Sequence, residues 1–285
     1  MSQTGQVIAA HGRHYLVELP GGEILECVPR GKKSEVACGD HVAFQRSGNG
    51  QGVIEHIEPR RSLLYRSDAY KQKLVAANVT QLVFVVASEP TFNDELLARC
   101  LLAAHEQSLD ILIVLNKCEL PQTDAARTRL APYRQIGYPI LELSALQDAT
   151  PLRPFLHGHT SVLIGQSGMG KSTLVNALIP AAQAATREIS TALDSGKHTT
   201  THARLYHLDA DSHLIDCPGV QLFGLHHLDF ATLEKNFPEF RPYLGQCRFA
   251  NCTHSHEPDC AIRKAAGEGK IDRRRLELFQ QIARG

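Results

Sequence analysis

The sequence predicts a three-part protein: an N-terminal OB-like β-barrel, a central α/β domain, and a mainly α C-terminal domain that binds a metal ion. Three patterns support this prediction. Short β-type runs separated by turn residues fill residues 1–62, apolar runs alternate with helical patterns over residues 63–222, and cysteines crowd beside histidines within residues 223–285. Because apolar strands alternate with helices in the central part, we expect a parallel sheet there.

The overall composition predicts a globular chain without a strong charge bias. The 285 residues are 43% hydrophobic, and 30 Lys and Arg balance 30 Asp and Glu. A chain of this length can bury a sizeable core, whereas zero net charge gives no sign of an acidic partner. The start lacks the pattern of a signal peptide, and the longest apolar runs are too short to span a bilayer. We therefore expect a cytoplasmic protein with no membrane partner.

The N-terminal part contains five β-type runs, which are QVIAA, HYLVEL, EILECV, HVAFQ and GVIEHI. Five short strands are typical of an OB-like barrel, a fold that binds oligonucleotides on one face. Periodicity alone also fits another small barrel or a sandwich. Residues 1–62 contain seven basic and seven acidic residues, so their charge does not predict RNA binding by itself.

A phosphate-binding loop is predicted where GQSGMGKS matches the pattern G-x-x-x-x-G-K-[ST]. It follows the apolar run SVLI and precedes the helical run KSTLVNALI, as the motif requires. Backbone N–H groups of such a loop face phosphates at a helix N-terminus. Lys171 can then reach the β- and γ-phosphates, and Ser172 can bind Mg²⁺. The predicted binding residues are Gly165, Gln166, Ser167, Gly168, Met169, Gly170, Lys171, Ser172 and Thr173.

Two later segments supply groups expected beside the γ-phosphate. The segment DCPG fits D-x-x-G, in which Asp216 stands near Mg²⁺ through a water and the Gly219 N–H contacts the γ-phosphate. The segment GKHTTT precedes it, and the hydroxyl of Thr200 or Thr201 is expected on Mg²⁺ and in catalysis. Residue order does not distinguish these two threonines, and we predict Thr201 as the Mg²⁺ ligand with Thr200 as the alternative.

Two earlier segments predict guanine recognition. The segment NKCE, with Asn116, Lys117 and Glu119, resembles the N-K-x-D guanine motif with Glu in place of Asp. A carboxylate accepts hydrogen bonds from guanine N1 and N2, a donor pair that adenine lacks. The segment SAL, with Ser144 and Ala145, resembles a motif that supports the base through backbone groups. We therefore predict a GTP site, with a longer acid than usual reading the base.

These motifs occur in permuted order. Ordinary GTPases begin with the phosphate loop and end with the guanine segments, whereas here Asn116 and Ser144 precede Gly165, Thr200 and Asp216. Circular permutation preserves a core because chain termini often lie close together at the surface. The segment after Asp216 then leads directly into the C-terminal part, so the nucleotide state is expected to move that part.

The group that positions the attacking water is predicted to be a histidine. Val220 follows the D-x-x-G segment, where many GTPases carry a water-orienting Gln. The neighbouring His226 and His227 are candidates, since a neutral imidazole can orient or partly deprotonate water. Slow intrinsic turnover, accelerated by a partner, is the corresponding expectation.

A structural zinc site is predicted near the C-terminus. Cys247, Cys252, His254 and Cys260 offer three thiolates and one imidazole within fourteen residues. His256 is an alternative nitrogen ligand. Four protein ligands argue against a catalytic zinc. The segment also contains few apolar residues, so it has no other means of folding than binding a metal ion.

Taken together, these motifs resemble the RsgA (YjeQ) family of circularly permuted GTPases over nearly the whole chain. The resemblance rests on CVPRGKKSEVACGDHV, KLVAANVTQLVFVVA, the phosphate loop, GKHTTTHARLY, DCPGVQLFGLHHL and the metal cluster, in family order. It implies GTP hydrolysis stimulated by the 30S ribosomal subunit, late maturation of that subunit, and 16S rRNA contacts through the barrel and the zinc domain. It also places the hydrolytic histidine at His227. Glu119 departs from the family pattern.

Two other functions remain compatible with the residues. Val220 favours a nucleotide-gated RNA-binding module with incidental hydrolysis, and Glu119 favours an ATP-using enzyme. We expect no DNA partner, and nothing in the sequence indicates an obligate oligomer, so a monomer is the expectation.

Overall fold

Five strands close an N-terminal barrel in the computed structural model, which describes residues 2–31, 35–48, 50–67, 72–180, 182, 203–217 and 228–284. They pair in the order β1-β2-β3-β5-β4, and β4 pairs back with β1. Alternate side chains such as Val17 and Phe44 point inward and are fully buried. The predicted OB-like barrel is therefore confirmed. Its strands are β1 (Gln3–His11), β2 (His14–Glu18), β3 (Ile24–Pro29), β4 (His41–Arg46) and β5 (Gln51–Ile57).

A two-stranded antiparallel hairpin, β6 (Leu63–Ser67) and β7 (Gln72–Ala77), follows the barrel. We did not predict it, because the sequence between the two strands contains no strong Gly or Pro signal. Asn78, directly after β7, donates from Nδ2 to the Gly39 carbonyl oxygen at 2.9 Å and accepts from the Arg61 N–H at 2.9 Å. These bonds attach the hairpin to the barrel.

A six-stranded sheet forms the centre of the chain, in the order β10-β9-β8-β11-β13-β12. Neighbouring strands are parallel, as predicted, except that β12 is antiparallel to β13 because a short turn at 208–212 joins them. Strand β12 also pairs with β1 through Arg204 and Ala9, which joins the sheet to the barrel. The strands are β8 (Gln81–Ala87), β9 (Asp110–Asn116), β10 (Ile140–Glu142), β11 (Thr160–Ile164), β12 (Arg204–His207) and β13 (His213–Asp216).

The helices between these strands follow the predicted pattern. Asn93 begins the first helix by accepting from the N–H groups of Glu95 and Leu96. Because the strands are parallel, β8, β9, β11 and β13 all end at one edge of the sheet, where ligands bind in open α/β folds. The helices are α1 (Asp94–Glu106), α2 (Thr123–Ile136), α3 (Arg153–Leu156) and α4 (Lys171–Leu178).

The C-terminal part is mainly helical, which confirms the predicted class. It contains α5 (Phe230–Lys235), a 3-10 helix (Pro238–Tyr243), α6 (Ala261–Gly267) and α7 (Arg273–Ala283). Phe237, Phe240 and Phe279 pack against one another with ring centroids 5.0–5.2 Å apart. Arg275 lies buried between this part and α2, paired with Glu239 at 2.7 Å. No helix in the described part of the chain is long and apolar enough to cross a membrane.

Candidate functional site

The predicted phosphate loop connects β11 to α4 in a conformation that needs its glycines. Gly165, Gly168 and Gly170 have φ values of +152°, +81° and +88°, a region that other residues rarely adopt. A Cβ at Gly165 would lie 2.3 Å from the Val85 carbonyl oxygen, so the loop packs directly against β8. Helix α4 begins at Lys171, directly after the loop, and the first N–H groups of a helix have no partner within it. This is the geometry of an anion site at a helix N-terminus.

Lys171 is held within this loop by the loop's own carbonyl oxygens. Its Nζ donates to Gly165 O at 2.5 Å and to Gln166 O at 2.7 Å. Burial lowers the pKa of Lys171, opposed by the charge of Asp216, and burial raises the pKa of Asp216, opposed by Lys171. A phosphate beside Lys171 would supply the negative charge that this partly buried ammonium favours.

Asn116 joins the predicted guanine segments to the phosphate loop. Its side chain is buried, with Nδ2 donating to Met169 O at 2.9 Å and Oδ1 accepting from the Ala145 N–H at 2.9 Å. A Cβ at Gly170 would lie 2.3 Å from Asn116 Nδ2, so the contact requires glycine there. Three segments far apart in the sequence therefore meet at one side chain.

The other predicted guanine-reading residues surround this junction. Lys117 has a φ of +62°, and its Nζ donates to the Glu89 carbonyl oxygen at 2.9 Å. Glu119 is exposed to solvent. Ser144 is 7% exposed, and its buried Oγ has no hydrogen-bond partner among the described residues. Because an unpaired buried hydroxyl is costly, a polar ligand group at this position would stabilise the site.

The predicted metal-side residues are only partly described. Ser172 is exposed in the first turn of α4, Thr173 beside it is half-buried, and Asp216 ends β13 at the same edge of the sheet. When bound, Mg²⁺ neutralises charge on the β- and γ-phosphates, and Ser172 with Asp216 offers the oxygen atoms that this ion prefers. The remaining predicted residues lie outside the described residues, and their roles stay predictions: Thr200, Thr201, Gly219, Val220, His226 and His227.

One segment of the site, residues 88–93 between β8 and α1, was not predicted from the sequence. Gln166 Oε1 in the phosphate loop accepts from the Asn93 N–H at 2.6 Å. A Cβ at Gly168 would lie 3.2 Å from the Pro90 ring, so this segment packs against the loop. None of the motifs predicted from the sequence includes this segment. Only its position after a buried parallel strand indicates that it borders a ligand site.

The four predicted zinc ligands converge. Ligand atoms of Cys247, Cys252, His254 and Cys260 all lie within 4.8 Å of one another. The Nδ1 atom of His254 lies 3.6, 3.5 and 3.3 Å from the sulfurs of Cys247, Cys252 and Cys260, and the Cys247 and Cys260 sulfurs are 3.9 Å apart. A tetrahedral zinc with Zn–S bonds of about 2.3 Å places its ligands about 3.8 Å apart. The cluster therefore fits zinc, whereas the alternative ligand His256 is exposed.

Surrounding residues orient the histidine of this cluster. His254 Nε2 hydrogen bonds to Glu234 on α5, which leaves Nδ1 directed at the sulfurs. The Gln280 side chain donates to the His254 carbonyl oxygen at 2.6 Å. Cys252, His254 and Cys260 are buried. Burial and a complete protein ligand set are typical of a structural site and not of a catalytic one.

Comparisons with known proteins agree on one family. The RsgA GTPase family model matches residues 57–226. The small ribosomal subunit biogenesis GTPase RsgA of Nitrosomonas europaea is 54% identical over 288 residues, covering 100% of this chain and 92% of the relative. The protein of the same name from Burkholderia pseudomallei is 57% identical, covering 98% of this chain and 90% of the relative.

Two solved structures also match this chain over its whole length. YjeQ from Thermotoga maritima matches with a TM-score of 0.74 and 28% identity, covering 100% of this chain and 98% of that one. YloQ, described as a circularly permuted GTPase, matches with a TM-score of 0.70 and 25% identity, covering 100% and 94%. The permuted fold predicted from motif order is thus confirmed. The chain belongs to the RsgA GTPase family, and its enzymatic activity is GTP hydrolysis.

Proposed function

We propose that this GTPase acts in late maturation of the small ribosomal subunit and that the 30S subunit stimulates its GTP hydrolysis. One structural observation supports the GTPase part of the proposal: the guanine segments contact the phosphate loop through Asn116 in a permuted chain. Relatives that share over half of their residues with this chain are named small ribosomal subunit biogenesis GTPases.

In this proposal the edge of the sheet binds GTP with Mg²⁺. The phosphate loop residues Gly165–Ser172 hold the phosphates, and Lys171 compensates their charge. Asn116 positions the guanine-reading segment, and Glu119 with Lys117 and Ser144 contacts the base. Thr201 or Thr200 and Asp216 complete the metal side, and His227 or His226 positions the attacking water.

The C-terminal domain is proposed to bind one structural zinc and, together with the barrel, to contact 16S rRNA. Beside the metal cluster, Phe249 is 41% exposed, and the guanidinium of Arg248 lies 5.5 Å from its ring centroid. An exposed aromatic ring beside an arginine suits stacking on unpaired bases. We place the protein in the cytoplasm as a monomer, with no DNA partner.

Turnover of GTP and ATP, measured with and without purified 30S subunits, tests this function. Stimulation of GTP turnover alone supports it. GTP binding without any stimulation would instead favour a nucleotide-gated RNA-binding module in which hydrolysis is incidental, and a preference for ATP would contradict the guanine assignment.

A further inference from the structure

The connection between β8 and α1, residues 88–93, lies between the nucleotide site and Asp94, the residue that the C-terminal domain contacts, and we call it the bridging segment. On the nucleotide side, Lys117 Nζ donates to Glu89 O at 2.9 Å, and the Asn93 N–H donates to Gln166 Oε1 at 2.6 Å. Three of the contacted residues, Lys117, Gln166 and Gly168, belong to predicted nucleotide-binding motifs. A shift of this segment would therefore move groups that face the nucleotide.

On its other side, the bridging segment is held by Arg129, and Arg274 holds the residue that directly follows it. Asp94, the residue directly after it, is 3% exposed, and its Oδ2 accepts from Arg129 Nη2 at 2.6 Å and from Arg274 Nη2. Arg129 Nη2 also donates to the Phe92 carbonyl oxygen at 2.8 Å. A buried carboxylate is costly unless cations and donors satisfy it, so these two guanidinium groups set the position of Asp94.

Arg274 connects this carboxylate to the metal cluster. It lies in the first turn of α7, whereas Gln280 and Phe279 lie further along the same helix and contact His254. Gln280 donates to the His254 carbonyl oxygen at 2.6 Å, and the Phe279 and His254 ring centroids are 5.8 Å apart. Packed side chains on one rigid helix can carry coupling between two sites.

We infer that Asp94 and Arg274 are positioning residues through which the zinc domain acts on nucleotide binding, by way of the bridging segment and Gln166. This inference rests on the proposed function only in that the phosphate loop must bind a guanine nucleotide. It defines a route separate from the chain connection that follows Asp216. Arg274 itself lies on a helix of the C-terminal domain, and within the described part of the chain its side chain bonds to Asp94 and to no residue of the predicted nucleotide-binding motifs.

Affinity for a fluorescent GDP analogue tests the inference in the full-length, zinc-loaded protein. Arg274→Ala is expected to raise the Kd about three- to tenfold, and Arg274→Lys is expected to restore most of the loss. Arg273→Ala is the matched control, because it removes the same charge from the same exposed turn of α7. Zinc content should be alike for the alanine variants at 273 and 274. Arg274→Ala should also lower the melting temperature, because Asp94 loses one of its two guanidinium partners, so a double-mutant cycle is needed to separate coupling from this loss of stability.

A double-mutant cycle with Gln166→Ala tests the route. If coupling passes through Gln166, Arg274→Ala has a much smaller effect on Kd in the Gln166→Ala background than in the wild type. Equal Kd values for the 273 and 274 variants overturn the inference, and an undiminished effect of Arg274→Ala in the Gln166→Ala background overturns the route. A wild-type protein that fails to bind GDP contradicts the proposed function instead, so the two failures are distinguishable.

Discussion

The side-chain amide of Asn116 donates to the Met169 carbonyl oxygen at 2.9 Å, which ties the end of β9 to the phosphate loop. The same amide accepts from the Ala145 N–H. In this permuted chain both guanine segments precede the phosphate loop instead of following it, yet one buried side chain still joins all three.

Asn116→Ala should weaken both folding and nucleotide binding. The substitution leaves the Ala145 N–H and the Met169 carbonyl without their partner in a buried position, which costs about 1–3 kcal/mol of the free energy of unfolding. We expect urea denaturation to show this loss and GDP affinity to fall at least about tenfold. Asn78→Ala is the matched control, because Asn78 also uses both ends of its amide, at the barrel. It should lower stability and leave GDP affinity unchanged, and equal affinity losses in both variants would contradict the role of Asn116.

Gly170→Ala should lower the free energy of unfolding more than Gly158→Ala, a substitution at another glycine with positive φ. A left-handed conformation costs a residue with a Cβ roughly 1–2 kcal/mol, and overlap with Asn116 Nδ2 adds about 1–3 kcal/mol. At Gly158, with a φ of +73°, an added Cβ meets nothing within 4 Å, so Gly158→Ala isolates the conformational cost. The difference in unfolding free energy between the two variants measures the cost of the overlap between the added Cβ and Asn116 Nδ2. Equal losses would show that the loop relaxes away from Asn116.

Glu119→Ala should reduce discrimination between GTP and ITP, which lacks the guanine 2-amino group. A carboxylate that accepts from this group contributes about 1.5–3 kcal/mol, so we expect the wild type to prefer GTP by at least about tenfold and the variant to bind both alike. Competition against a fluorescent GDP analogue measures the ratio. Glu119→Asp should retain the preference, since the carboxylate remains. If the wild type binds GTP and ITP equally, Glu119 does not contact the guanine base.

His254→Ala should abolish stoichiometric zinc binding, whereas His256→Ala should retain one zinc per chain. Nδ1 of His254 lies among the three sulfurs, and His256 is exposed. Because structural zinc contributes folding free energy, we also expect residues 228–284 to become sensitive to proteolysis in the His254 variant. Metal analysis and limited proteolysis provide the readouts. Loss of zinc in the His256 variant would mean that the ligand set is wrong.

Glu234→Gln should lower zinc affinity by about 10- to 100-fold, because Glu234 orients the ligating imidazole through Nε2. A chelating dye that competes for zinc measures the change. Glu277→Gln, at an exposed position on α7, is the control for loss of one negative charge and should match the wild type. If both variants bind zinc as tightly as the wild type, the hydrogen bond does not tune the site.

The sequence by itself determined the parts that depend on local pattern. Short β-type runs between turn residues predicted the barrel strands, continuous apolar runs predicted the parallel strands, and GQSGMGKS predicted the phosphate loop between β11 and α4. The close spacing of Cys247, Cys252, His254 and Cys260 likewise predicted the metal cluster. These features can be predicted because residues that lie close together in the sequence form them.

Only the tertiary structure decided which distant residues meet. It placed Asn116 against Met169, chose His254 over His256, made β12 antiparallel, and brought Arg274 to Asp94 across 180 positions of the chain. No periodicity or motif encodes such pairs, since each depends on how helices and strands pack after their local form is set. Burial then makes the pairs specific, because a carboxylate or amide removed from water must find its partners within the fold.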